Sequence, residues 1–389
     1  MNPRLLILAL ALLLVLGGCS WIKSWGDDEI EPGDPLPLVE FTPTLQTRKL
    51  WSVRVGDGIG RQRTQLRPIL SNGIIYAADY RGVLTAINAE SGRKQWEVET
   101  ELPFSGGPGL SGDMLMLGSQ DGEVFAFDSG NGNRLWTAQV TSEVLAPPVA
   151  QDGIVVVRSI DGRVFGLNQA NGKRIWIYDH SVPLLTLRGN SRPLVRAGIV
   201  FLGYDGGEVV ALRLDDGTLV WEQKVVSTEG RSELERLADI DGQLVYVASD
   251  LLVSSYKNRL ASLAADSGRL LWFKDVSSAT GVTIDRINLA VSDRDDHIWL
   301  LDRRNGSTIW KMDQLENRGL TRPAFIGNFL VVGDFEGYLH WISIGEGSFA
   351  ARQKVGKHGF TSAPLIAGNR VYVLDRGGEL AAYAAGGGG

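Results

Sequence analysis

A fifteen-residue pattern that recurs along the chain constrains its fold more than any other feature. Each copy begins with Gly, continues with alternating apolar residues, passes a turn of Asn, Asp or Ser followed by Gly, and ends in Trp. The four closest copies are GVLTAINAESGRKQW, GEVFAFDSGNGNRLW, GRVFGLNQANGKRIW and GEVVALRLDDGTLVW, which begin at Gly82, Gly122, Gly162 and Gly207. Two looser copies end at Trp272 and Trp310.

Each copy is typical of a β-hairpin. Alternation such as Val83, Thr85 and Ile87 against Leu84 and Ala86 has the period of a strand. The Ser-Gly, Asn-Gly and Asp-Gly pairs tolerate the positive φ of a tight turn. Another hairpin precedes each copy, so four short strands repeat at Trp spacings of 38 to 51 residues. Four-stranded units with this period indicate the blades of a β-propeller.

The repeat is split at the chain ends. A seventh copy, from Gly337, has Ala351 where Trp is expected, and an eighth, from Gly378, stops before its turn. The missing Trp stands near the other end of the chain, in KLWSVRV at Trp51. We therefore predict an all-β fold, an eight-bladed β-propeller of four-stranded antiparallel blades closed by pairing of the N- and C-terminal strands, with Trp51 close to Tyr383. The repeated Trp residues are expected to pack between blades, because large aromatics bury wide areas in every unit.

The first eighteen residues have the pattern of a signal peptide. Arg4 precedes an apolar run from Leu5 to Leu16, which is short for a membrane span. Leu16-Gly17-Gly18-Cys19 resembles a bacterial lipobox, in which that Cys becomes the lipidated first residue of the mature protein. The resemblance implies a lipid (palmitate) anchor at Cys19 in the outer membrane, with the protein held on the periplasmic side and not spanning the bilayer.

The remaining domain limits follow from composition. Residues 19–44 combine acidic residues with Pro32, Pro35, Pro37 and Pro43, which predicts a flexible tether after the anchor. Residues 45–385 contain the eight-bladed propeller. The Gly-rich residues 386–389 are expected to be disordered or an added sequence.

Charge and residue inventory argue against several function classes. The net charge is −6 without a basic stripe, which does not favour nucleic-acid binding. Cys19 is the only cysteine, so no intramolecular disulfide can form. The four histidines, His180, His297, His340 and His358, lack metal-ligand spacing and are expected at the surface or in turns. We find no catalytic constellation in the sequence and expect neither a metal nor a cofactor.

Two consecutive connections between blades are longer than the others. They follow Trp176 and Trp221, and equivalent connections of a propeller emerge on one face, so we expect them side by side on one rim. The first carries Leu185, Leu187 and Arg188, an apolar group with an adjoining cation that suits a protein-binding patch. The second carries Asp239 and Asp241, a polar edge for a basic partner group. Alternatively, the leucines are core residues of an inner strand and Asp241-Gly242 is a hairpin turn.

The blade pattern resembles the tryptophan-docking motif of quinoprotein dehydrogenases, as in AINAESGRKQW and AFDSGNGNRLW. Those enzymes carry paired cysteines near a pyrroloquinoline quinone, and a chain with Cys19 alone cannot form the pair. A degenerate quinone-dependent enzyme is therefore the alternative function rather than the leading one.

The chain as a whole is more similar to the BamB family, lipoproteins of the outer-membrane β-barrel assembly machinery. Shared stretches include FTPT at Phe41, VGDGIG at Val55, LRG at Leu187, RLADID at Arg236 and VVGDFEGYLHWI at Val331. The resemblance implies a non-enzymatic scaffold that binds the periplasmic POTRA domains of the barrel-forming subunit BamA and assists the folding and insertion of unfolded outer-membrane proteins. It also implies partner contacts at Leu185, Leu187, Arg188, Asp239 and Asp241. A third possibility is a carrier that passes nascent barrel strands along an exposed blade edge by β-augmentation.

Overall fold

The computed structural model describes residues 33–60, 64–183, 185–187, 189, 191–226, 238–257 and 259–386. Within these residues every regular element is a β-strand. In this part of the chain thirty-three strands form eight sheets, and each blade is an antiparallel meander of four strands. The predicted eight-bladed propeller is therefore confirmed.

The first four blades use the strands that follow the N-terminal strand, β1 (Thr47–Arg54). A two-residue strand, β2 (Gln65–Leu66), pairs in parallel with β7 (Phe104–Ser111), the first strand of blade 2. Blade 1 contains β3 (Ile69–Ser71), β4 (Ile74–Ala78), β5 (Val83–Asn88) and β6 (Lys94–Glu99). Blade 2 contains β7 (Phe104–Ser111), β8 (Met114–Ser119), β9 (Glu123–Asp128) and β10 (Arg134–Gln139). Blade 3 contains β11 (Val149–Gln151), β12 (Ile154–Arg158), β13 (Val164–Asn168) and β14 (Arg174–Tyr178). Blade 4 contains β15 (Leu194–Arg196), β16 (Ile199–Gly203), β17 (Glu208–Arg213) and β18 (Leu219–Lys224).

The other four blades follow the same plan. Blade 5 contains β19 (Val245–Val247), β20 (Asp250–Ser255), β21 (Arg259–Ala264) and β22 (Leu270–Lys274). Blade 6 contains β23 (Val282–Ile284), β24 (Asn288–Ser292), β25 (Ile298–Asp302) and β26 (Thr308–Met312). Blade 7 contains β27 (Ala324–Ile326), β28 (Phe329–Gly333), β29 (Tyr338–Ser343) and β30 (Phe349–Lys354). Blade 8 contains β31 (Leu365–Ala367), β32 (Arg370–Leu374), β33 (Glu379–Ala385) and the N-terminal β1.

The core lies between the blades. Neighbouring blades meet through their first strands, which are therefore the innermost, while the fourth strands alternate exposed and partly buried residues. Each apolar cluster combines the middle strands of two adjacent blades; one joins Phe201 and Val209 of blade 4 to Leu251 and Val253 of blade 5. Burial thus depends on the neighbour, as expected of a repeat whose single unit cannot stand alone.

The repeated Trp and Gly residues fasten each blade to the next. The indole nitrogen of Trp136 donates to the carbonyl of Gln169 at 2.9 Å, in the turn between β13 and β14 of blade 3. In the same turn Gly172 has φ +70°, and a Cβ there would lie 2.6 Å from the Trp136 ring. Glycine is thus needed both for the backbone conformation and for the close approach. The other indoles that donate to the next blade's turn are Trp51, Trp96, Trp176, Trp221 and Trp310.

Both chain ends complete one sheet. β1 pairs antiparallel with β33, and Lys49 lies opposite Tyr383 while Trp51 lies opposite Ala382. The Trp51 indole donates to Ala89 and Glu90 carbonyls of blade 1 at 3.2 and 3.1 Å. The ring is closed as predicted, which removes the free sheet edges that an open array would leave.

The last part of the predicted tether is packed against blade 7. Leu36 donates from its amide to the carbonyl of Glu316 at 3.1 Å, and the Phe41 ring stacks on Phe349 at 5.2 Å. Thr44 donates from its amide to Ala350 at 2.9 Å. This corrects the expectation of a flexible, unpacked segment for residues 34–44, because apolar side chains follow the prolines and find a sheet surface. The predicted signal peptide, Cys19 and Gly387–Gly389 lie outside the described residues.

Two faces of the propeller can be distinguished. Because neighbouring strands are antiparallel, the connections between blades share a face with the turns between second and third strands; we call it the connection face. Leu36 and Glu316 meet on this face, since Glu316 belongs to the connection between blades 6 and 7. Among the residues described, no helix has the length and apolar character needed to cross a bilayer.

Candidate partner-docking site

The first long connection runs from β14 to β15 on the connection face. Its described residues form no strand, so Leu185 and Leu187 are not core residues of an inner strand. Leu185 leaves 44% of its surface exposed, whereas Leu187 is half-buried. The loop therefore exposes the Leu185 side chain to solvent more than that of Leu187. Arg188, the predicted cation of this patch, lies outside the described residues.

The second long connection, from β18 to β19, is anchored in the core. Ala238 and Ile240 are fully buried in the cluster between blades 4 and 5. Ile240 donates from its amide to the carbonyl of Tyr204 at 3.2 Å, and Asp239 accepts at its carbonyl from the amide of Tyr256 at 2.8 Å. In blade 5, which follows this connection, the hairpin turn between β19 and β20 is Ala248-Ser249, so Asp241-Gly242 is not that turn.

The two connections touch, as expected of neighbours on one rim. The amide of Leu187 donates a hydrogen bond to the Asp239 carboxylate at 2.5 Å. A Cβ placed on Gly189 would lie only 2.3 Å from the carboxylate of Asp241, so the loops approach closely there as well. We refer to Leu185, Leu187, Gly189, Asp239 and Asp241 as the two-loop site.

Asp239 holds the leucine loop rather than facing outward. Its side chain is fully buried, and one carboxylate oxygen, Oδ1, has no hydrogen-bond partner among the described residues. Burial raises the pKa of Asp239 to about 6, with a smaller contribution from nearby Asp205, against the opposing effect of the Leu187 amide. Asp241 as a whole residue is only half-buried. Burial of its carboxylate, together with the negative charges of Asp205 and Asp239, raises its pKa well above the usual range.

A buried ion pair lies next to the carboxylates of Asp239 and Asp241. Arg158 on β12 is 1% exposed, and its guanidinium lies 3.4 Å from a carboxylate oxygen of Asp205. The same guanidinium donates to the Ser191 hydroxyl at 3.3 Å and lies 4.5 Å from the centre of the Tyr204 ring. The Ser191 contact ties the ion pair to the end of the first long connection. Sequence reasoning missed Arg158 and Asp205, because no local pattern signals that residues 47 positions apart pair across two blades.

Two groups of described residues have carboxylates or imidazoles close enough to share a cation. In the first, one ligand atom from each of Asp205, Asp239 and Asp241 lies within 4.8 Å of the others, but Asp205 is already paired with Arg158. The second group is Asp293, Asp295 and His297 in the turn between β24 and β25. There the Asp293 carboxylate accepts hydrogen bonds from the ring nitrogens of His297 and Trp299 at 2.9 and 2.8 Å. These hydrogen bonds stabilise the turn.

One histidine departs from the expectation of a surface or turn position. His340 on β29 is fully buried, and its Nε2 lies 3.1 Å from Asp334, which also accepts from Arg318 at 2.9 Å. His340 faces inward in the alternation of its strand and finds a carboxylate partner there, so burial does not leave it unpaired. The group is a core network and is remote in sequence from the two-loop site.

Known proteins resemble this chain in sequence and in structure. The family model of outer membrane protein assembly factor BamB matches residues 45–142, 80–312 and 301–388. An outer membrane protein assembly factor BamB of Pseudomonas aeruginosa is 48% identical over 374 residues, which cover 96% of this chain and 97% of that protein. The crystal structure of BamB from Moraxella catarrhalis superposes with a TM-score of 0.79 and 27% identity, covering 87% of this chain and 100% of that one.

A quinohemoprotein alcohol dehydrogenase from Comamonas testosteroni also superposes, with a TM-score of 0.69. It is 12% identical and covers 88% of this chain and 77% of that one, so the likeness concerns the fold alone.

Proposed function

Because the chain belongs to the family of outer membrane protein assembly factor BamB, we propose that it is a scaffold which docks the periplasmic POTRA domains of BamA through the two-loop site. The relatives are named as assembly factors and not as enzymes, and this chain is an assembly factor of the outer membrane rather than a quinone-dependent dehydrogenase. In this role it assists the folding and insertion of unfolded outer-membrane proteins.

The single observation that carries the docking proposal is that an exposed leucine lies on a loop whose backbone is hydrogen-bonded to a buried carboxylate. Leu185 exposes 44% of its surface, while the neighbouring Leu187 amide is fixed by buried Asp239. Apolar groups on a prepositioned loop lose little conformational entropy on binding, so more of their burial appears as affinity. Asp239 acts here as a positioning residue, while Leu185 and Arg188 make the contacts and Asp241 sits at the rim.

The anchoring part of the proposal concerns residues before the propeller. Lipidation at Cys19 holds the protein on the outer membrane, facing the periplasm. Leu36 lies on the connection face, where its amide donates to the carbonyl of Glu316. The two-loop site lies on this same face. The described end of the tether and the docking site thus share one side of the propeller.

A pull-down tests the docking site. The mature lipoprotein with Leu185→Glu or Arg188→Glu is expected to lose co-purification with BamA from detergent-solubilised outer membranes. Leu135→Glu is the matched control, because Leu135 is also an exposed leucine, at 53%, but on the outer strand of blade 2. Undiminished capture of BamA by both site variants, with folding verified by circular dichroism, rules out the two-loop site.

A second candidate function, carriage of unfolded strands by β-augmentation, is favoured by the outer strands. Large apolar side chains on the fourth strands are exposed, and β-augmentation needs an accessible edge. They include Leu135, Ile175, Ile177, Leu219, Val220, Leu270, Leu271, Phe273 and Ile309. Crosslinking of an unfolded outer-membrane protein to position 175 or 309 supports this function. Crosslinking confined to the two-loop site contradicts it.

A further inference from the structure

Three arginines from separate blades converge on the axis of the propeller. A cavity of about 140 Å³ there is lined by residues from seven of the eight blades. Its polar lining consists of Arg67, Arg192, Arg322, Gln243 and Ser362, and the remaining lining side chains are apolar. Among the described residues, the lining therefore offers hydrogen-bond donors and no carboxylate.

The arginines occupy the same place in their blades. Each stands two residues before the first strand of its blade and immediately precedes a proline: Arg67-Pro68, Arg192-Pro193 and Arg322-Pro323. A residue before proline is restricted to extended conformations, so the direction of its side chain from the backbone is limited. Because first strands surround the axis, this position directs the side chain into the central cavity.

Two of the three guanidinium groups have no partner within the described part of the chain. No hydrogen bond or ion pair is made by the side chain of Arg67 or Arg192 there. Arg322 has a single long contact, 3.4 Å from Nη1 to the carbonyl of Val282. Guanidinium groups at protein interiors usually fork onto carboxylates or phosphates, since burial of an uncompensated charge is costly.

The lining of the cavity is positively charged, with three arginines among its described residues. Burial lowers the pKa of all three groups, and the charge of Arg192 further lowers that of Arg67. Burial and the charge of Arg67 together lower the pKa of Arg322 to about 10. Asp241 attracts Arg67, but burial and its acidic neighbours raise the pKa of Asp241 well above the usual range. It is therefore a weak counter-ion for three cations.

We propose that the axial cavity binds one small oxyanion, phosphate or sulfate, through Arg67, Arg192 and Arg322. A tetrahedral oxyanion accepts hydrogen bonds from several guanidinium forks at once, and Gln243 and Ser362 supply further donors. The volume suits a single ion; pockets for drug-sized or polycyclic ligands are usually about 300 Å³ or more. The bound ion joins blades 1, 4 and 7 across the axis and so stabilises the closed ring.

Calorimetry and thermal unfolding of the mature protein test the site with inorganic phosphate as the probe. Sodium phosphate is expected to raise the melting temperature above that in sodium chloride of equal ionic strength. Arg192→Gln and Arg322→Gln are each expected to weaken phosphate binding at least about tenfold, the loss of one charge-assisted contact. Arg304→Gln is the control, because the Arg304 side chain is 78% exposed and paired with Asp302, in the turn between β25 and β26.

The unliganded variants distinguish a lost site from a damaged fold. Without phosphate, Arg322→Gln is expected to melt at or above the wild-type temperature, since it removes a cation from a like-charged cluster. Equal phosphate effects in wild type and both variants, or no effect beyond chloride in the wild type, overturn the proposal. Tighter binding of glycerol phosphate than of inorganic phosphate overturns the assignment to a free ion and points to an esterified headgroup.

Discussion

Trp341 lies directly opposite Ala351 across strands β29 and β30. In the other blades the Trp of this pair stands on the fourth strand, as Trp96 does opposite Ala86 and Trp51 opposite Ala382. A fourth-strand Trp docks on the turn between the third and fourth strands of the next blade. Blade 8 has no such turn, because the two chain ends meet there. In blade 7 the Trp of the pair therefore stands on the third strand instead of the fourth. The centre of the Trp341 ring lies 6.4 Å from that of Tyr383 in blade 8.

We expect Trp341→Ala to destabilise the protein by about 3–5 kcal/mol, as for other large buried aromatics. Trp341 is fully buried, and its indole nitrogen has no hydrogen-bond partner among the described residues. Trp341→Phe should therefore lose only volume and cost less than Trp341→Ala. Urea denaturation measures both free energies of unfolding, and equal costs for the two variants contradict the packing role.

The glycines of the docking turns give a second prediction. Gly172→Ala places a methyl group 2.6 Å from the Trp136 ring at φ +70°. Gly153→Ala has a similar φ of +80° but meets nothing within 4 Å. The control should cost about 1–2 kcal/mol from backbone strain. Gly172→Ala should cost about 1–3 kcal/mol more from overpacking. Chemical denaturation gives the difference, and identical values mean that the Trp contact is not tight.

The pH dependence of stability should report on Asp239. Its folded pKa of about 6 lies above the value of about 3.9 for an unfolded chain, so folding takes up a proton between the two. The stability from this group is fully present below about pH 4 and is lost as the pH rises through about 6. Asp239→Asn cannot titrate, yet its amide oxygen can still accept from Leu187.

The free energy of unfolding of wild type relative to Asp239→Asn should therefore fall as the pH rises from 4.5 to 7. We expect a fall on the order of 1–2 kcal/mol. Urea titrations at several pH values measure it. Parallel pH profiles for the two proteins would show that Asp239 does not titrate in this range.

The close approach at Gly189 should matter for docking. Gly189→Ala places a methyl group 2.3 Å from the Asp241 carboxylate, so the leucine loop must move away from its support. Capture of BamA should weaken severalfold with little change in the melting temperature, because the loop lies outside the core. Gly345→Ala is the control, since its methyl group meets only the Ser343 hydroxyl at 4.0 Å. Unchanged capture by Gly189→Ala contradicts a positioned loop.

Local sequence determined the blades and their number. Strand alternation and turn glycines act over a few residues, so GVLTAINAESGRKQW can be interpreted without knowledge of the rest of the chain. Closure of the ring could also be predicted from the sequence. The incomplete repeat at Gly378 lacked its Trp strand, and the strand at Trp51 supplied it. Loop length further indicated that the two long connections are neighbours.

Contacts between distant residues were decided by the tertiary structure alone. The sequence did not reveal that Asp239 is buried beneath the Leu187 amide, that Arg158 pairs with Asp205, or that residues 34–44 pack on blade 7. These depend on which side chains the ring places face to face, and a charged residue has the same sequence signature whether it is solvated or paired. Periodicity specifies which face of a strand is apolar, but the partner of a buried polar group is set only when blades meet across the closed ring.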